Sequence, residues 1–179
     1  MLRGERVMLR ALERDDLPFL HVLMNDLETQ ALVSEHPPVP MSMAAIEAEF
    51  DRAASAGSEE PIRFVVELDG ERVGRCVVYA IDRYARNCRI GVTLARERRG
   101  AGLGTDVVRT LLDYAFRVLD MHKVALESLA TNEAGLATWR SCGFVEEARL
   151  REHAWYDGEY ADMVHMAILR SEWSGTTSG

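Results

Sequence analysis

The most regular hydrophobic pattern of the chain lies just past its middle. Between residues 103 and 119, apolar side chains recur at three- and four-residue intervals, at Val107, Val108, Leu111, Leu112, Ala115, Phe116 and Leu119. This spacing predicts an amphipathic helix that buries one face. The preceding residues 88–94 are rich in β-branched and apolar side chains, which favour a strand. A strand, a turn and a long helix are therefore expected in succession.

Shorter patterns predict the remaining elements. Strands are expected at residues 5–12, 62–68, 72–81 and 121–129, and on both sides of Asp157-Gly158. Helices are expected from Asp15 or Asp16 to Met24, from Ser42 to about Gly57 with Ile46 and Phe50 inward, and from Asn132 onwards. The pairs Asp69-Gly70 and Asp157-Gly158 favour tight hairpin turns. Residues 36–40, which contain three prolines, predict a loop.

Length and composition fit one compact domain. The chain has 179 residues, 20.1 kDa and 47% hydrophobic residues, enough to bury one good core. We expect residues 1–173 to form a single domain. Residues 174–179 have nothing to bury and are expected to be a disordered tail.

The turn between the central strand and the long helix is rich in glycine and led by arginine. It reads Arg98-Arg99-Gly100-Ala101-Gly102-Leu103-Gly104-Thr105. Glycines leave backbone N–H groups accessible at the positive end of the helix dipole, so the turn predicts an anion site. A nucleoside-triphosphate loop would need a lysine after the glycines, and a dinucleotide fingerprint would need its last glycine one residue later. A tight turn without a ligand is the ordinary alternative.

Three further segments help to identify the turn. Residues 99–104 resemble the coenzyme A signature of the GNAT superfamily of N-acetyltransferases, Gln/Arg-x-x-Gly-x-Gly/Ala. The Asn-led residues 132–144 and the closing hairpin at 150–163 resemble a branch that includes ribosomal-protein N-terminal acetyltransferases and spermidine acetyltransferases. The opening residues 6–17 also have a counterpart in that branch. The resemblance therefore covers nearly the whole chain.

The resemblance implies a fold and a cosubstrate. The fold is an α/β (α+β) GNAT fold with a mixed, mostly antiparallel sheet of about seven strands, about four flanking helices and splayed central strands. The cosubstrate is acetyl-CoA, its pantetheine arm lies between the splayed strands, and no metal is expected. The residues implied to bind it are Val92, Thr93, Leu94, Arg98, Arg99, Gly100, Ala101, Gly102, Leu103, Gly104, Thr105, Asn132, Trp139 and Arg140.

The resemblance also implies catalytic roles. An uncharged primary amine attacks the thioester directly in a ternary complex, and a backbone N–H near residues 92–94 stabilises the oxyanion. Glu127 is implied as the general base, and Asn132 as a residue that binds the pantetheine arm or positions the acceptor. The ordinary alternatives are an edge-strand glutamate and a helix N-cap.

Two departures from the branch affect the leaving thiolate. Trp139 stands where many relatives have tyrosine, and Gly135 stands where the branch has serine. Indole cannot supply a proton at useful pH, but a thiol with a pKa of about 8.5 is already a tolerable leaving group. Tyr156, and after it Tyr160, are reserve candidates for the acid. The departures also leave open a non-catalytic acyl-CoA-binding sensor or partner-binding module.

The acceptor can be ranked by proton affinity. Neutralising a lysine-like amine with a pKa of about 10.4 at pH 7 costs about 4.6 kcal/mol, whereas an α-amine with a pKa near 8 costs about 1.4 kcal/mol. A weakly specified base therefore favours a protein N-terminus or a small-molecule α-amine. Polyamines are the alternative acceptor, suggested by the acidic residues Glu35, Glu47, Glu49, Asp51, Glu59 and Glu60.

Charge and cysteine usage narrow the setting. A net charge of −8 and a pI near 5.2 argue against nucleic acid or an anionic membrane as partner. A local basic cluster nevertheless suits a polyanionic cosubstrate; it contains Arg83, Arg86, Arg89, Arg96, Arg98 and Arg99. Three cysteines without a Cys-x-x-Cys pair, no signal peptide and no bilayer-spanning run favour the cytoplasm. A homodimer is compatible with the sequence, which does not determine the oligomeric state.

Overall fold

A computed structural model of the chain describes residues 1–33, 37–55 and 61–175. Its strands are β1 (Leu2–Arg3), β2 (Val7–Ala11), β3 (Ile62–Leu68), β4 (Glu71–Asp82), β5 (Asn87–Leu94), β6 (Lys123–Leu129), β7 (Val145–Tyr156) and β8 (Glu159–Leu169). Its α-helices are α1 (Leu17–Met24), α2 (Leu27–Val33), α3 (Met43–Ser55), α4 (Leu103–Asp113) and α5 (Glu133–Ser141). Short 3₁₀ turns lie at Arg14–Asp16 and Arg96–Arg98, and a π-helical turn at Tyr114–Val118 continues α4.

The strands form one sheet in the order β1-β2-β3-β4-β5-β6-β8-β7. All neighbouring strands are antiparallel except β5 and β6, which are parallel. That parallel pairing covers only three residue pairs and ends at Arg89 opposite Ala125. Beyond this point the two strands diverge, and we call the space between residues 90–94 and 126–129 the gap. The splayed central strands predicted from the resemblance are therefore confirmed.

The two faces of the sheet carry different helices. Alternate residues of β4, β5 and β6, among them Val78, Ile90 and Leu126, are buried with the apolar side of α4 and with Leu136 of α5 in the main core. This side is the α4 face. The opposite side, the α1 face, has a smaller core of Leu17, Leu20, Leu23 and Ile46 from α1 and α3. The helices of the α1 face therefore form a separately packed layer.

Most of the predicted elements are present. The helix predicted for residues 103–119 is α4 with its π-helical extension, and the predicted strands at 62–68 and 72–81 are β3 and β4. Asp69-Gly70 and Asp157-Gly158 both have positive φ at each residue, as tight hairpin turns require. Ser42 caps α3 by accepting the N–H of Ala45 at 3.2 Å. The predicted helix end at Gly57, the acidic Glu35, Glu59 and Glu60, loop residue His36 and tail residues 176–179 lie outside the described residues.

Two predictions were wrong in detail. The strand predicted at residues 5–12 is β2, which begins only at Val7, because the Asp106 carboxylate accepts the backbone N–H groups of Glu5, Arg6 and Val7 and holds a turn between β1 and β2. Helix α2 was not predicted. Its Thr29 N–H donates to Asp26, and Arg96 pairs with Asp26 at 2.9 Å, so distant contacts stabilise this short helix. None of the helices within the described ranges is long and apolar enough to cross a membrane.

Asp16 does more than begin a helix. Its buried carboxylate accepts hydrogen bonds from Arg10 at 2.7 and 2.8 Å, from Arg72 at 2.6 Å and from the N–H of Glu13 at 2.8 Å. It makes no side-chain cap to α1, which corrects the predicted cap. Burial would raise the pKa of this carboxyl, but the hydrogen bonds from Arg10 and Arg72 outweigh it and hold the pKa well below its usual range. Asp16 thus joins the start of α1 to β2 and β4.

We expect Asp16→Asn to lower the free energy of unfolding at pH 7 by about 3 kcal/mol, because it removes the buried acid partner of Arg72 and one of the two acid partners of Arg10. A lowered pKa stabilises the fold above the ordinary carboxyl pKa, so the loss should shrink as the pH falls below about 3.9. Urea unfolding of both proteins between pH 3 and pH 7 measures it, with the exposed Asp51→Asn as control. A loss that is equal at all pH values would contradict this account.

Candidate active site

The glycine turn leaves the N-terminus of α4 open. Gly100 and Gly102 have φ of +76° and +77°, and a Cβ at either position would meet nothing within 4 Å. Backbone conformation, rather than crowding, therefore requires glycine here. Gly102 is the N-cap of α4 and has no side chain to cover the first turn, whose first backbone bond is the Asp106 N–H to the Gly102 carbonyl at 3.3 Å. The preceding N–H groups can bind an anion.

Hydrogen bonds to the N-terminal segment hold the glycine turn in place. Besides holding the β1–β2 turn, Asp106 lies so close to Gly4 that a Cβ there would be 2.4 Å from its Oδ1. Arg6 Nη1 donates to the Ala101 carbonyl at 2.9 Å. The acid lies in the first helical turn, where a negative charge is stabilised by the helix dipole. The predicted anion site is therefore held by contacts between residues about 100 positions apart in sequence.

The two arginines before the glycines have partners within the protein. Arg99 donates through Nε and Nη2 to the Leu94 carbonyl at 3.1 and 2.9 Å, and through Nη2 to the Thr29 hydroxyl at 2.7 Å. Arg98 pairs with Glu71 at 2.5 Å. Three more members of the predicted basic cluster, Arg86, Arg89 and Arg96, are also ion-paired. Backbone N–H groups, more than these side chains, are thus positioned for an anion.

The end of β5 borders the gap. Residues 92–94 stay paired with β4 on one side, in a register that places Val92 opposite Cys76 and Leu94 opposite Gly74. On the other side the parallel ladder to β6 has ended. This edge therefore offers backbone N–H and C=O groups to an extended ligand, the same contacts that a strand would make.

The Asn-led helix closes the α4 face of the gap. Asn132 caps α5 by accepting the N–H of Gly135 at 3.1 Å, and its Nδ2 donates to the Ser128 hydroxyl at 3.4 Å. Thr138 packs toward Gly104, where a Cβ would be 3.5 Å from its Cγ2. The glycine turn and α5 are therefore adjacent, and Asn132 has both capping and bridging contacts.

The other predicted residues of α5 make structural contacts. Trp139 packs edge-on against Phe144 with ring centroids 5.6 Å apart, next to the main core. Arg140 is half-exposed and lies 3.7 Å from Glu146. Tyr156, at the end of β7, packs with Leu129 in a small cluster near the turn of the β7–β8 hairpin. Tyr160 is exposed and stacks edge-on with Trp155.

Glu127 lies where β5 and β6 separate. Its carboxylate is 2.5 Å from Arg89 Nη1, and Arg89 is the last residue of β5 that pairs with β6. His165, opposite Glu127 in β8, approaches the same oxygen with Nε2 at 3.6 Å. The Glu127 side chain is 11% exposed and borders a cavity of about 270 Å³ that Lys123 and Glu147 also line. Two carboxylates, two cations and a histidine thus line the cavity where β5 and β6 separate.

Glu127 and Asn132 lie on opposite faces of the sheet. Successive strand residues point to opposite faces, so Ser128 lies on the α4 face and Glu127 on the α1 face. The Asn132 amide bonds to Ser128, and the Arg89 pair holds Glu127 on the other side. The gap connects the two faces. One reactant can therefore lie along β5 on the α4 side while a second arrives from the α1 side.

Sequence reasoning missed three residues that shape this region. Asp106 could have been noticed as an acid in the first turn of a helix. His165 and Arg75 had no local signal, because each is placed by a strand partner far away in sequence: Glu127 for His165, and Thr93 for Arg75. Within the described ranges, no group of three or more His, Cys, Asp or Glu side chains could hold a metal ion.

Known proteins are similar to this chain in sequence and in fold. Residues 6–145 match the family described as acetyltransferase (GNAT) domain. Spermidine N(1)-acetyltransferase of Vibrio cholerae is 32% identical over 95% of this chain and 96% of that protein, and the Escherichia coli protein of the same name is 30% identical over 97% and 91%. A putative ribosomal N-acetyltransferase of Bacillus subtilis is 33% identical over 60% of this chain and 58% of that protein.

Solved structures agree with the sequence comparison. The crystal structure of the Vibrio cholerae spermidine N-acetyltransferase in complex with CoA and spermine superposes with a TM-score of 0.87, at 30% identity over 94% of this chain and 98% of that one. The predicted fold, enzyme class and cosubstrate are confirmed: the protein is an N-acetyltransferase that transfers an acetyl group from acetyl-CoA to an amine. The chain belongs to the GNAT family of acetyltransferases.

Proposed function

We propose that acetyl-CoA binds along the α4 face, with its pyrophosphate on the open N-terminus of α4 and its pantetheine arm in the gap. The acceptor amine then enters from the α1 face. The observation that carries this proposal is the gap itself, with Asn132 on one face and Glu127 on the other. The uncovered N–H groups after Gly102 support the position of the pyrophosphate.

The amine attacks the acetyl carbonyl directly in the ternary complex. A new C–N bond forms, the C–S bond breaks, and the products are an N-acetyl amine and coenzyme A thiol. Glu127 accepts the proton that the ammonium must lose before attack, directly or through one water, and releases it to solvent. A second proton leaves the nitrogen once the C–N bond has formed, and it ends on the thiolate. Backbone N–H groups at the edge of β5 stabilise the oxyanion. Arg89 and His165 hold the Glu127 carboxylate in place at the point where β5 and β6 separate.

The acceptor class proposed is an α-amine, of a small molecule or a protein N-terminus. Supporting this choice, Arg89 contacts the Glu127 carboxylate at 2.5 Å, and so competes with the ammonium for it. Two acids of α3 near the α1 face also have arginine partners, since Glu49 pairs with Arg63 and Asp51 with Arg14. An acceptor that loses its proton readily suits such a site better than a strongly basic amine.

A polyamine is the second candidate acceptor. It is favoured by two similar relatives, which are spermidine N(1)-acetyltransferases, and by the spermine in the crystal structure of the Vibrio cholerae enzyme. The small-molecule α-amine and the polyamine make opposite demands on charge near the gap. Direct comparison of the two classes as substrates therefore separates them.

We expect Glu127→Gln to lower kcat/KM for an α-amine roughly a hundredfold at pH 7, the scale of a lost general base. Without the carboxylate, the variant uses amine that is already neutral, so its deficit should shrink as the pH rises toward 9. Thiol release from acetyl-CoA across pH 6–9 measures this. Glu147→Gln, which lines the same cavity, is the control. A constant ratio between variant and wild type would show that Glu127 is not the base.

A panel of amines tests the acceptor class. We expect amino acids and short peptides with free N-termini to be acetylated with higher kcat/KM than spermidine, and both to exceed a lysine side chain in an N-terminally blocked peptide. The measurement is initial thiol release at pH 7.5, with product masses to locate the acetyl group. Faster turnover of spermidine would assign the polyamine candidate, and faster turnover of lysine would contradict the proton-affinity argument.

The assembly proposed is a homodimer. Strand β7 is the outermost strand of the sheet, and the adjoining hairpin tip exposes Trp155 and Tyr160, at 61% and 67%. An open strand edge beside exposed aromatic rings favours association.

The cytoplasmic location stays a prediction from cysteine usage.

We expect a mass of about twice 20.1 kDa by light scattering, and a shift toward monomer in Trp155→Ser. Val22→Ser, an equally exposed apolar site on α1, is the control. A wild-type monomer at all concentrations would contradict the proposal.

A further inference from the structure

The α1 face has a second cavity that the reaction described above does not use. It has a volume of about 240 Å³ and lies between α1, α3 and strands β2 to β4. Its walls are largely apolar and include Leu12, Leu17, Leu20, Met24, Ile46 and Phe50. A cavity of this size accommodates one side chain or a ligand of similar bulk, and it is smaller than a site for a drug-sized molecule.

Two guanidinium groups, of Arg63 and Arg75, line this apolar space together with one acid, Glu49. Arg75 of β4 lines the cavity. Its guanidinium donates a weak hydrogen bond from Nη1 to the Met24 sulfur, at 3.7 Å. Guanidinium has five N–H donors. Within the described ranges, no carboxylate lies in ion-pair distance of Arg75. Glu49, an acid on the cavity wall, is 3.5 Å from Arg63.

Among the described residues that line the cavity, two cations share one acid, and the attraction of Glu49 offsets the burial of Arg75 only in part. Burial lowers the pKa of the Arg75 guanidinium, because the charged form loses solvation. Other arginines on this side of the sheet have acid partners: Arg10 has Asp16 and Glu67, and Arg89 has Glu127. A cation in an apolar cavity is stabilised by a carboxylate that binds its planar fork of donors. A ligand that fits this cavity therefore needs an apolar part for the walls and an anionic group for Arg75.

The strand that carries Arg75 is the neighbour of β5. Arg75 is paired with Thr93 of β5, in the segment where β5 has separated from β6. Neighbouring strands are about 4.8 Å apart, so the Arg75 backbone lies about that far from β5, whose other edge borders the gap. The amine of an α-amino acid lies two bonds from its carboxyl carbon. A carboxylate on Arg75 therefore leaves the α-amine close to the gap.

We propose that Arg75 and this cavity form an acceptor subsite for a small α-amino acid with an apolar side chain. Arg75 binds the carboxylate, and the apolar walls bind the side chain. The inference rests on the proposed α-amine acceptor and specifies it. It also disfavours a polycation at this subsite, because Arg75 carries the same charge.

Binding is tested separately from turnover. The probes are 3-phenylpropanoate, which has the carboxylate but no amine, and phenethylamine, which has the amine but no carboxylate. By calorimetry at pH 7.5 we expect 3-phenylpropanoate to bind wild type and to lose at least tenfold in affinity in Arg75→Met, with Arg75→Lys between them. Phenethylamine should bind both proteins equally. The exposed Arg109→Gln on α4 is the matched control.

Three results would overturn the subsite. They are equal carboxylate affinity in wild type and Arg75→Met, no detectable carboxylate binding to wild type, and a marked fall in the Tm of Arg75→Met together with unchanged carboxylate affinity in Arg75→Lys. The last would give Arg75 a structural role, whereas loss of a buried charge that has no ion-pair partner among the described residues should leave the Tm unchanged or higher. If Arg75→Met does not fold, the comparison of wild type with Arg75→Lys decides the binding result.

Turnover then separates this inference from the proposed function. We expect phenylalanine to exceed phenylalanine amide at least tenfold in kcat/KM, and Arg75→Met to remove that preference through KM. Equal use of acid and amide would overturn the carboxylate assignment while leaving the α-amine acceptor intact. Carboxylate binding through Arg75 without turnover of any α-amine would support the subsite and contradict the proposed acceptor.

Discussion

The early end of the parallel pairing between β5 and β6 is the constraint on which the rest of the structure depends. Parallel strands need a crossover connection, and here that crossover is α4, which must begin at the end of β5. The glycine turn is the start of this crossover, so the anion site and the opened strand edge are parts of one connection. Unpaired backbone groups at a buried edge are costly. An amide-bearing arm between the strands can complete their hydrogen bonding.

Charged contacts keep this opening in one shape. Asp106 ties the N-terminal segment to the first turn of α4, and Arg99 ties α2 to the Leu94 carbonyl at the end of β5. Asp16 does the same between α1 and strands β2 and β4. These contacts explain why a local excess of arginine is a poor guide to a phosphate site. Most of the cluster neutralises acids or binds carbonyls of the protein itself, while backbone N–H groups remain for the anion.

What the sequence predicted and what it missed differ in the range of the interactions. The helix at 103–119, the β3–β4 hairpin and the Ser42 cap depend on residues within a few positions, so spacing and turn chemistry were sufficient. The later start of the first predicted strand, helix α2 and the Asp16–Arg72 pair depend on residues tens of positions away. The same division runs through the site. The glycine turn and Asn132 are local motifs, whereas His165 and Arg75 acquire their roles only from sheet register.

Gly135 shows how a local departure follows from the geometry of its neighbour. A Cβ at this position would lie 2.5 Å from Asn132 Nδ2 and 2.8 Å from its Oδ1, so the branch's serine cannot fit while Asn132 caps α5 in this way. Glycine therefore permits the asparagine to fold over the helix start and bridge to Ser128. The serine helper is absent because its space belongs to the cap. A leaving thiol with a pKa of about 8.5 tolerates that absence better than the fold would tolerate an uncapped helix beside the gap.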